Sequence, residues 1–81
     1  MLNEHSRLVL NKFVPHLGLE PGDVGVVVRV YGRGAAYEVE FLTFDGHTIG
    51  VETVDAADLR PSSSHGVVHE RELRRDSRSS R

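Results

Sequence analysis

Apolar residues in this chain fall in short runs that are separated by glycine, proline and charged residues. Some runs alternate apolar with polar positions and others are dense in valine, and both patterns are typical of β-strands. The runs predict strands at residues 7–10, 24–31, 37–41 and 48–53, with a brief last strand around residues 59–60. We therefore expect an all-β fold.

The strongest predicted strand is the valine-rich run at residues 24–31. Side chains alternate between the two faces of a strand, and the even-numbered valines are expected to point into the core: Val24, Val26, Val28 and Val30. The opposite face would then carry Gly25, Val27, Arg29 and Tyr31. Gly25 would suit a bend or a close approach of two backbones, which barrels need where strands coil.

Residues 37–53 predict a hairpin around Asp45-Gly46. In its first strand, Tyr37, Val39 and Phe41 are expected to point inward, with Glu38 and Glu40 in water. In its second strand, one shared face carries Ile49, Val51 and Thr53.

The loop of this hairpin decides which residues pair across it. A two-residue loop at 45–46 would place Phe41 opposite Gly50, and therefore apolar positions opposite polar ones. A three-residue loop at 44–46, with Gly46 left-handed at a bulge, would pair Thr43 with His47. It would also place Phe41 opposite Ile49 and Val39 opposite Val51. We prefer the second register because it buries apolar side chains against each other.

The first strand and the loop after it complete the predicted core. Leu8 and Leu10 are expected to point inward, with Arg7 and Val9 on the other face. Prolines and glycines break residues 11–22 into a loop. Its apolar residues are expected to fold over the mouth of a barrel: Phe13, Val14, Leu17 and Leu19. Loops of this length are uncommon and often carry function.

The last part of the folded region predicts one helical turn over residues 54–61, capped by Asp55, before the final strand. Pro61 cannot donate to a ladder and would close the domain. This order of elements predicts a small SH3-like barrel of about five strands over residues 1–61. Closing the sheet on itself would remove exposed edges. The alternative is an open β-sandwich fragment that another chain completes.

Residues 62–81 differ in composition and are rich in serine and arginine. They contain too few large apolar residues to offset the entropy of ordering them. We therefore expect a flexible C-terminal tail, with a nascent helix at residues 67–75.

Several segments resemble, in order and spacing, a family of small bacterial proteins known only as a domain of unknown function. They are His5-x-Arg7-x-Val9-Leu10, Leu17-Gly18-Leu19, Pro21-Gly22-Asp23-Val24-Gly25, Tyr37-Glu38-Val39-Glu40-Phe41, Asp45-Gly46-x-Thr48 and Leu59-Arg60-Pro61. The resemblance covers residues 3–61 and implies an SH3-like barrel. It implies no activity, cofactor or catalytic residue, and the small neighbouring genes typical of the family suggest a partner protein. The tail after Pro61 departs from the family pattern.

The run Gly22-Asp23-Val24-Gly25-Val26-Val27 is also similar to the start of a KOW motif, which is found in ribosomal and transcription-elongation barrels. It is similar too to the barrel in the β subunit of nitrile hydratases. Both similarities depend on one short run, which suits many SH3-like barrels because the fold needs that turn and strand.

The charge of the chain is divided unevenly. Residues 1–61 hold five basic and nine acidic side chains, a net charge of −4, whereas residues 62–81 have a net charge of +2. An acidic body is a poor surface for nucleic acid, because neutralising phosphates supplies most of such affinity. Nucleic acid binding would therefore have to use the tail.

Other compositional features exclude several kinds of site. The chain has no cysteine, so a disulfide framework and a thiolate metal site are excluded. No apolar run reaches the roughly 18–20 residues that span a bilayer, so no membrane partner is expected. The N-terminus lacks the pattern of a signal peptide. We expect a cytoplasmic protein.

No group of residues predicts catalysis, a cofactor or a metal. His65 and His69 are four apart, but the His-Glu-x-x-His pattern is absent and solvated histidines are the plainer interpretation. Glu38 and Glu40 share a strand face, which is expected to be solvated, and His47 is expected to be an exposed turn residue. We expect a protein that is not an enzyme.

Six residues are candidates for binding a partner: Arg29, Tyr31 and Arg33 at the first hairpin, and Arg71, Arg74 and Arg75 in the tail. Tyrosine and arginine are enriched among the residues that dominate binding energy at interfaces. The plainer interpretation is that these residues only keep the hairpin and the tail solvated. The composition favours a non-enzymatic protein-interaction module, either an antitoxin or immunity-type protein or an accessory partner. The alternatives are a KOW-like RNA or ribosome binder and a hydratase-subunit-like accessory protein.

Overall fold

The computed structural model describes residues 2–63 and 65–73, and in them the chain forms five antiparallel strands in one sheet. The strands are β1 (Arg7–Leu10), β2 (Val24–Tyr31), β3 (Ala36–Leu42), β4 (Thr48–Asp55) and β5 (Leu59–Pro61). Two 3-10 helices, Pro15–Leu17 and Ala56–Asp58, lie in the connections that precede β2 and β5. The expected all-β fold of about five strands is confirmed.

The strands lie in the order β4-β3-β2-β1-β5 across the sheet. β2, β3 and β4 form a meander, and β1 joins this meander to β5. Within the described residues, β4 and β5 are the two edges of the sheet. The buried core draws on all five strands and on the loop after β1, through Leu8, Leu10, Val14, Leu19, Val27, Tyr37, Val39, Phe41, Val54 and Leu59. The inward faces predicted for β1 and β3 are therefore confirmed.

β2 turns the opposite face to the core from the one that the sequence predicted. Gly25 and Val27 are buried. By contrast, Val24 and Val28 are 46% and 37% exposed, and Val26 lies opposite Glu40 on the outer face. Alternation favoured the face with four valines, but the face of Gly25 packs inward because its missing side chain leaves room for Val39 and Phe41.

A β-bulge reverses the alternation halfway along β2. The register with β3 shifts between Val27 and Arg29. After the shift, Val30 packs against the core, as expected, and Arg29 and Tyr31 lie on the exposed side. A bulge adds one residue to one strand of a pair, so every later side chain changes face.

Gly25 was predicted to allow a bend or a close approach of two backbones, but the structure shows core side chains packed against it instead. Gly25 lies opposite Leu8 of β1, and a Cβ atom built on it would be 2.5 Å from Cγ1 of Val39 and 2.7 Å from the ring of Phe41. Those distances are too short for any side chain. Gly25 therefore lets two core side chains of β3 pack directly on the backbone of β2.

The hairpin between β3 and β4 has the predicted loop. The Thr43 amide donates to the His47 carbonyl at 2.9 Å, and Gly46 is left-handed with a φ of 90°. Left-handed backbone costs a glycine little, because it has no Cβ to clash.

The predicted register holds for Thr43 with His47 and Leu42 with Thr48, and fails at Phe41. A bulge at Phe41/Leu42 leaves Ile49 as the extra residue, so that Phe41 pairs with Gly50 and Val39 with Glu52. This is the pairing that we had rejected. Val51 is consequently 49% exposed and Thr53 is exposed.

The loop between β1 and β2 covers the inner face of β4. Val14 and Leu19 are buried and form an isolated bridge, as expected for a loop that folds over the core. Leu17 packs on Gly50, where an added Cβ would lie 2.7 Å from Cδ2 of Leu17. Phe13 does not join them and is 65% exposed.

The end of the folded region differs from the prediction in one detail. The 3-10 helix Ala56–Asp58 forms where a helical turn was expected, but Asp55 makes no side-chain hydrogen bond to it. The predicted cap is therefore wrong. Pro61 is the last residue of β5, and the Ser62 amide donates to the Arg7 carbonyl at 3.2 Å.

Residues 65–73 follow without a helix or strand. The nascent helix expected over residues 67–75 is absent from residues 67–73, where Val67 and Val68 are 93% and 87% exposed. Because both valines are in water, they contribute no packing that would support a helix. None of the helices in the described part of the chain has the length and apolar character to cross a membrane.

Candidate functional site

The first candidate surface lies on the outer face of the β2–β3 hairpin. Arg29 pairs with Glu38 across the two strands, and the Tyr31 hydroxyl donates to Oε1 of Glu38 at 2.9 Å. The Cζ atom of Arg29 lies 5.8 Å from the centre of the Tyr31 ring, within the range of a cation–π contact. We refer to Arg29, Tyr31, Arg33 and Glu38 as the hairpin patch.

The hairpin patch favours the charged form of Arg29. Interaction with Tyr31 is the main cause that raises the pKa of Arg29, and the negative charge of Glu38 raises it further. Arg33 lies at the exposed turn with a left-handed φ of 59°, between two glycines that are also left-handed. The structure thus brings Arg29 and Tyr31 into contact and places Arg33 at the tip of the same hairpin.

Exposed apolar side chains extend from the hairpin patch across the outer face of the meander. They come from all three strands: Val24, Val28, Leu42 and Val51, each between 37% and 49% exposed. Phe44, at the tip of the β3–β4 hairpin, is 76% exposed. The sequence placed three of these residues in the core, so it did not predict an apolar outer face.

The second candidate surface is a set of acceptors that surrounds the Arg71 side chain. Nε and Nη2 of Arg71 donate to the two carboxylate oxygens of Asp23 at 3.2 and 2.5 Å, and Nη2 also donates to the Gly18 carbonyl at 2.7 Å. Nη1 lies 3.7 Å from Oε2 of Glu20. We refer to the acceptors of Gly18, Glu20 and Asp23 as the Asp23 cradle.

The backbone of the loop positions these acceptors. Gly18 is left-handed with a φ of 73° and ends the 3-10 helix Pro15–Leu17. The Glu20 amide donates to Oδ2 of Asp23 at 2.8 Å, which orients the carboxylate. Gly22, left-handed at 98°, turns the chain between them.

The contact between Arg71 and Asp23 is partly shielded from water. The side chains of Arg71 and Asp23 are 23% and 12% exposed. The hydrogen bond to Asp23 is the main cause that raises the pKa of Arg71, while burial acts in the opposite direction. His69 adds a longer contact, 3.7 Å from Oδ1 of Asp23.

Of the three tail arginines predicted to bind a partner, the structure describes only Arg71. Arg71 was predicted as a candidate for binding a partner, with solvation as the plainer interpretation, and in the structure its guanidinium is bound to the acceptors of the loop before β2. Arg74 and Arg75 lie outside the described residues. The opposite charges of body and tail are the one sequence signal that could have indicated this contact, and they do not specify which residues meet.

The remaining titratable residues form smaller groups. Glu38 and Glu40 accept separate hydrogen bonds, from Tyr31 and from the Thr48 hydroxyl at 2.7 Å. His47 is exposed in the turn, as expected. Its Nδ1 atom lies 3.0 Å from Oδ2 of Asp45. Hydrogen bonds from Thr43 and then His47 lower the pKa of Asp45. Within the described residues, no three histidine or acidic side chains are grouped so that they could hold a metal.

The comparison with known families agrees with the resemblance of the sequence. The family described as Domain of unknown function (DUF4926) matches residues 4–61, well over half of the 81 residues. The chain belongs to this family. The DUF4926 match ends at Pro61, so it covers all five strands and the Asp23 cradle but not Arg71. No curated protein and no solved structure matches the chain.

Proposed function

We propose that this protein is a non-enzymatic protein-interaction module, with the hairpin patch as its docking surface. The observation that carries the proposal is the outer face of the meander, which carries exposed valines and the contact between Arg29 and Tyr31. Tyrosine and arginine among exposed apolar residues are typical of the centre of an interface. Because Glu38 already holds Tyr31 in place, a partner would order few side chains on binding.

The proposal includes an SH3-like barrel as the scaffold, in a bacterial cytoplasmic protein. The order β4-β3-β2-β1-β5, the long loop after β1 and the 3-10 helix before β5 support that architecture. The resemblance of residues 3–61 to a family of small bacterial proteins supports a bacterial origin.

The partner that we propose is a protein with a basic surface. The folded body has a net charge of −4, so it would attract a basic partner as a whole, although the hairpin patch itself carries two arginines against one glutamate. One form of the proposal is an antitoxin or immunity-type protein whose acidic body masks a basic nuclease. The other form is an accessory protein for a neighbouring gene product.

The test is capture from a lysate of the host organism, with the full-length protein, with the Tyr31→Ala/Arg33→Ala variant and with Arg60→Ala as a matched control on β5. We expect the full-length protein and the control to retain one stoichiometric protein. We expect the double variant to lose it while its melting temperature stays unchanged. Equal capture by the folded double variant would exclude the hairpin patch.

The same capture separates the two other functions. A KOW-like RNA or ribosome binder would retain RNA or ribosomal proteins on the full-length chain and lose them when it is cut after Pro61. A hydratase-subunit-like accessory protein would retain metal-bearing enzyme subunits. The acidic body and the engagement of Arg71 by Asp23 both weigh against the RNA binder.

A further inference from the structure

The Asp23 cradle has the geometry that recognises a guanidinium rather than a charge alone. Two parallel donors of Arg71 meet the two oxygens of Asp23, and one of them also reaches the Gly18 carbonyl. Such a planar fork fits arginine, and an ammonium group cannot reproduce it. The guanidinium that is bound there shows directly which ligand chemistry the cradle accepts.

The loop fixes the cradle without help from the tail. The Leu10 amide donates to the Asp23 carbonyl, and the Gly22 amide donates to the Leu10 carbonyl, both at 2.9 Å. The Asp23 amide donates in turn to the Glu20 carbonyl at 3.1 Å. These bonds tie the cradle to β1, so its acceptors would keep their places if Arg71 left.

A shallow pocket adjoins the cradle. Its lining includes Phe13, Pro15 and Leu19 on the loop side, together with Glu20 and Arg71. Phe13 is 65% exposed there, although most apolar residues of this loop are packed. The pocket could accept the apolar part of a residue next to a bound arginine.

The tail binds the cradle only weakly. Between Pro61 and Arg71, Val67 and Val68 remain almost fully in water. The ion pair itself is still partly exposed, with 23% of the Arg71 side chain and 12% of the Asp23 side chain accessible to water. A tethered ligand of this kind acts like a free one at a millimolar effective concentration, so a better ligand can displace it.

We infer that the Asp23 cradle is an arginine-binding site, which Arg71 occupies until an arginine in an exposed segment of a partner protein replaces it. The inference rests on the proposed function and identifies a second contact of the same interaction module. The partner's basic surface would place one arginine in the cradle while the hairpin patch contacts another part of it. Arg71 would then act as a competitor that weakens binding of partners without a suitable arginine.

The test is an NMR titration of the full chain with the peptide acetyl-Gly-Ser-Arg-Ser-Gly-amide, and with the same peptide carrying lysine. Three proteins are compared: the unmodified chain, Arg71→Ala and Arg71→Ala/Asp23→Asn. We expect Arg71→Ala to bind the arginine peptide about tenfold more tightly than the unmodified chain, because the competitor is gone. We expect the shifts to centre on residues 18–23, the lysine peptide to bind more weakly, and the double variant to lose binding.

Several results would overturn the inference. They are equal affinities for the unmodified chain and Arg71→Ala, equal binding of the two peptides, or shifts that lie away from residues 18–23. If Asp23→Asn unfolds the protein, Glu20→Gln in the Arg71→Ala background replaces it, since Glu20 is exposed, and unchanged binding there would count against the cradle.

The two proposals fail separately. Loss of partner capture by Tyr31→Ala/Arg33→Ala together with no peptide binding at the cradle would leave the proposed function standing and remove the arginine site. Peptide binding at the cradle without any captured protein would leave the arginine site standing and remove the proposed function.

Discussion

At the scale of single residues, Gly25 explains how a strand of valines packs on this core. Its missing side chain leaves the space that Val39 and Phe41 occupy. A larger residue would push both of them away from the backbone of β2. A glycine inside an otherwise β-branched strand therefore marks the inward face here.

We predict that Gly25→Ala lowers the free energy of unfolding by about 1–3 kcal/mol, the usual cost of overpacking a core. Its Cβ would lie 2.5 Å from Cγ1 of Val39, which is stiff at its branched carbon. The measurement is urea denaturation. Gly66→Ala is the control, because the atom nearest to its added Cβ would be 3.6 Å away and the methyl group would fit. Equal midpoints for the two variants would contradict the packing described for β2.

Arg71 shows the same dependence on context at the surface. In the sequence it is one of five arginines in a polar tail. In the structure it makes three hydrogen bonds to residues about 50 positions earlier in the chain. Its chemistry is that of any arginine, and its role depends on the acceptors that the loop brings to it.

At the scale of elements, the β3–β4 hairpin combines a predictable turn with an unpredicted bulge. Asp45-Gly46 fixed the loop, because few residues other than glycine adopt a φ of 90°. The extra residue Ile49 then shifted the register by one. This shift leaves Gly50 under Leu17, so the bulge lets the loop before β2 approach β4 closely.

We predict that Gly46→Val destabilises the protein by at least about 1–2 kcal/mol, because a left-handed backbone is costly for an L-residue and more so for a β-branched one. Gly46→Asn is the control, since asparagine tolerates this backbone. Thermal unfolding followed by circular dichroism measures both. A valine variant that melts with the unmodified protein would show that the turn does not need Gly46.

We predict that Leu17 and Gly50 are energetically coupled. Leu17→Ala should cost roughly 1–2 kcal/mol, because the side chain is only partly buried. Gly50→Ala should destabilise the unmodified protein but not the Leu17→Ala variant, in which the clashing atoms are gone. A double-mutant cycle by urea denaturation should give a coupling of at least about 0.5 kcal/mol. Additive effects would show that Leu17 does not pack on β4.

At the scale of the whole molecule, the core and the tail are separate in sequence. The core cluster runs from Leu8 to Leu59, so none of the residues that the structure describes after β5 contributes to it. In the described tail, Arg71 and His69 contact Asp23, and Arg71 also contacts Gly18 and Glu20. Stability therefore resides in the part of the chain that matches the family.

We predict that cutting the chain after Pro61 changes the free energy of unfolding by less than about 1 kcal/mol, the value of a partly exposed ion pair. The measurement is urea denaturation of the full and shortened chains, with Arg71→Ala as the control for the loss of that contact alone. A much larger loss on shortening would show that the tail supports the core.

The sequence by itself determined the all-β class, the family, the inward faces of β1 and β3 and the turn at Gly46. Each of these follows from a local signal: alternation, a motif or one backbone preference. The tertiary structure decided the faces of β2 and β4, since packing on Gly25 and the bulges in the two strand pairs override the alternation in the sequence. It also decided the contact of Arg71 with Asp23, because folding alone brings together groups 48 residues apart.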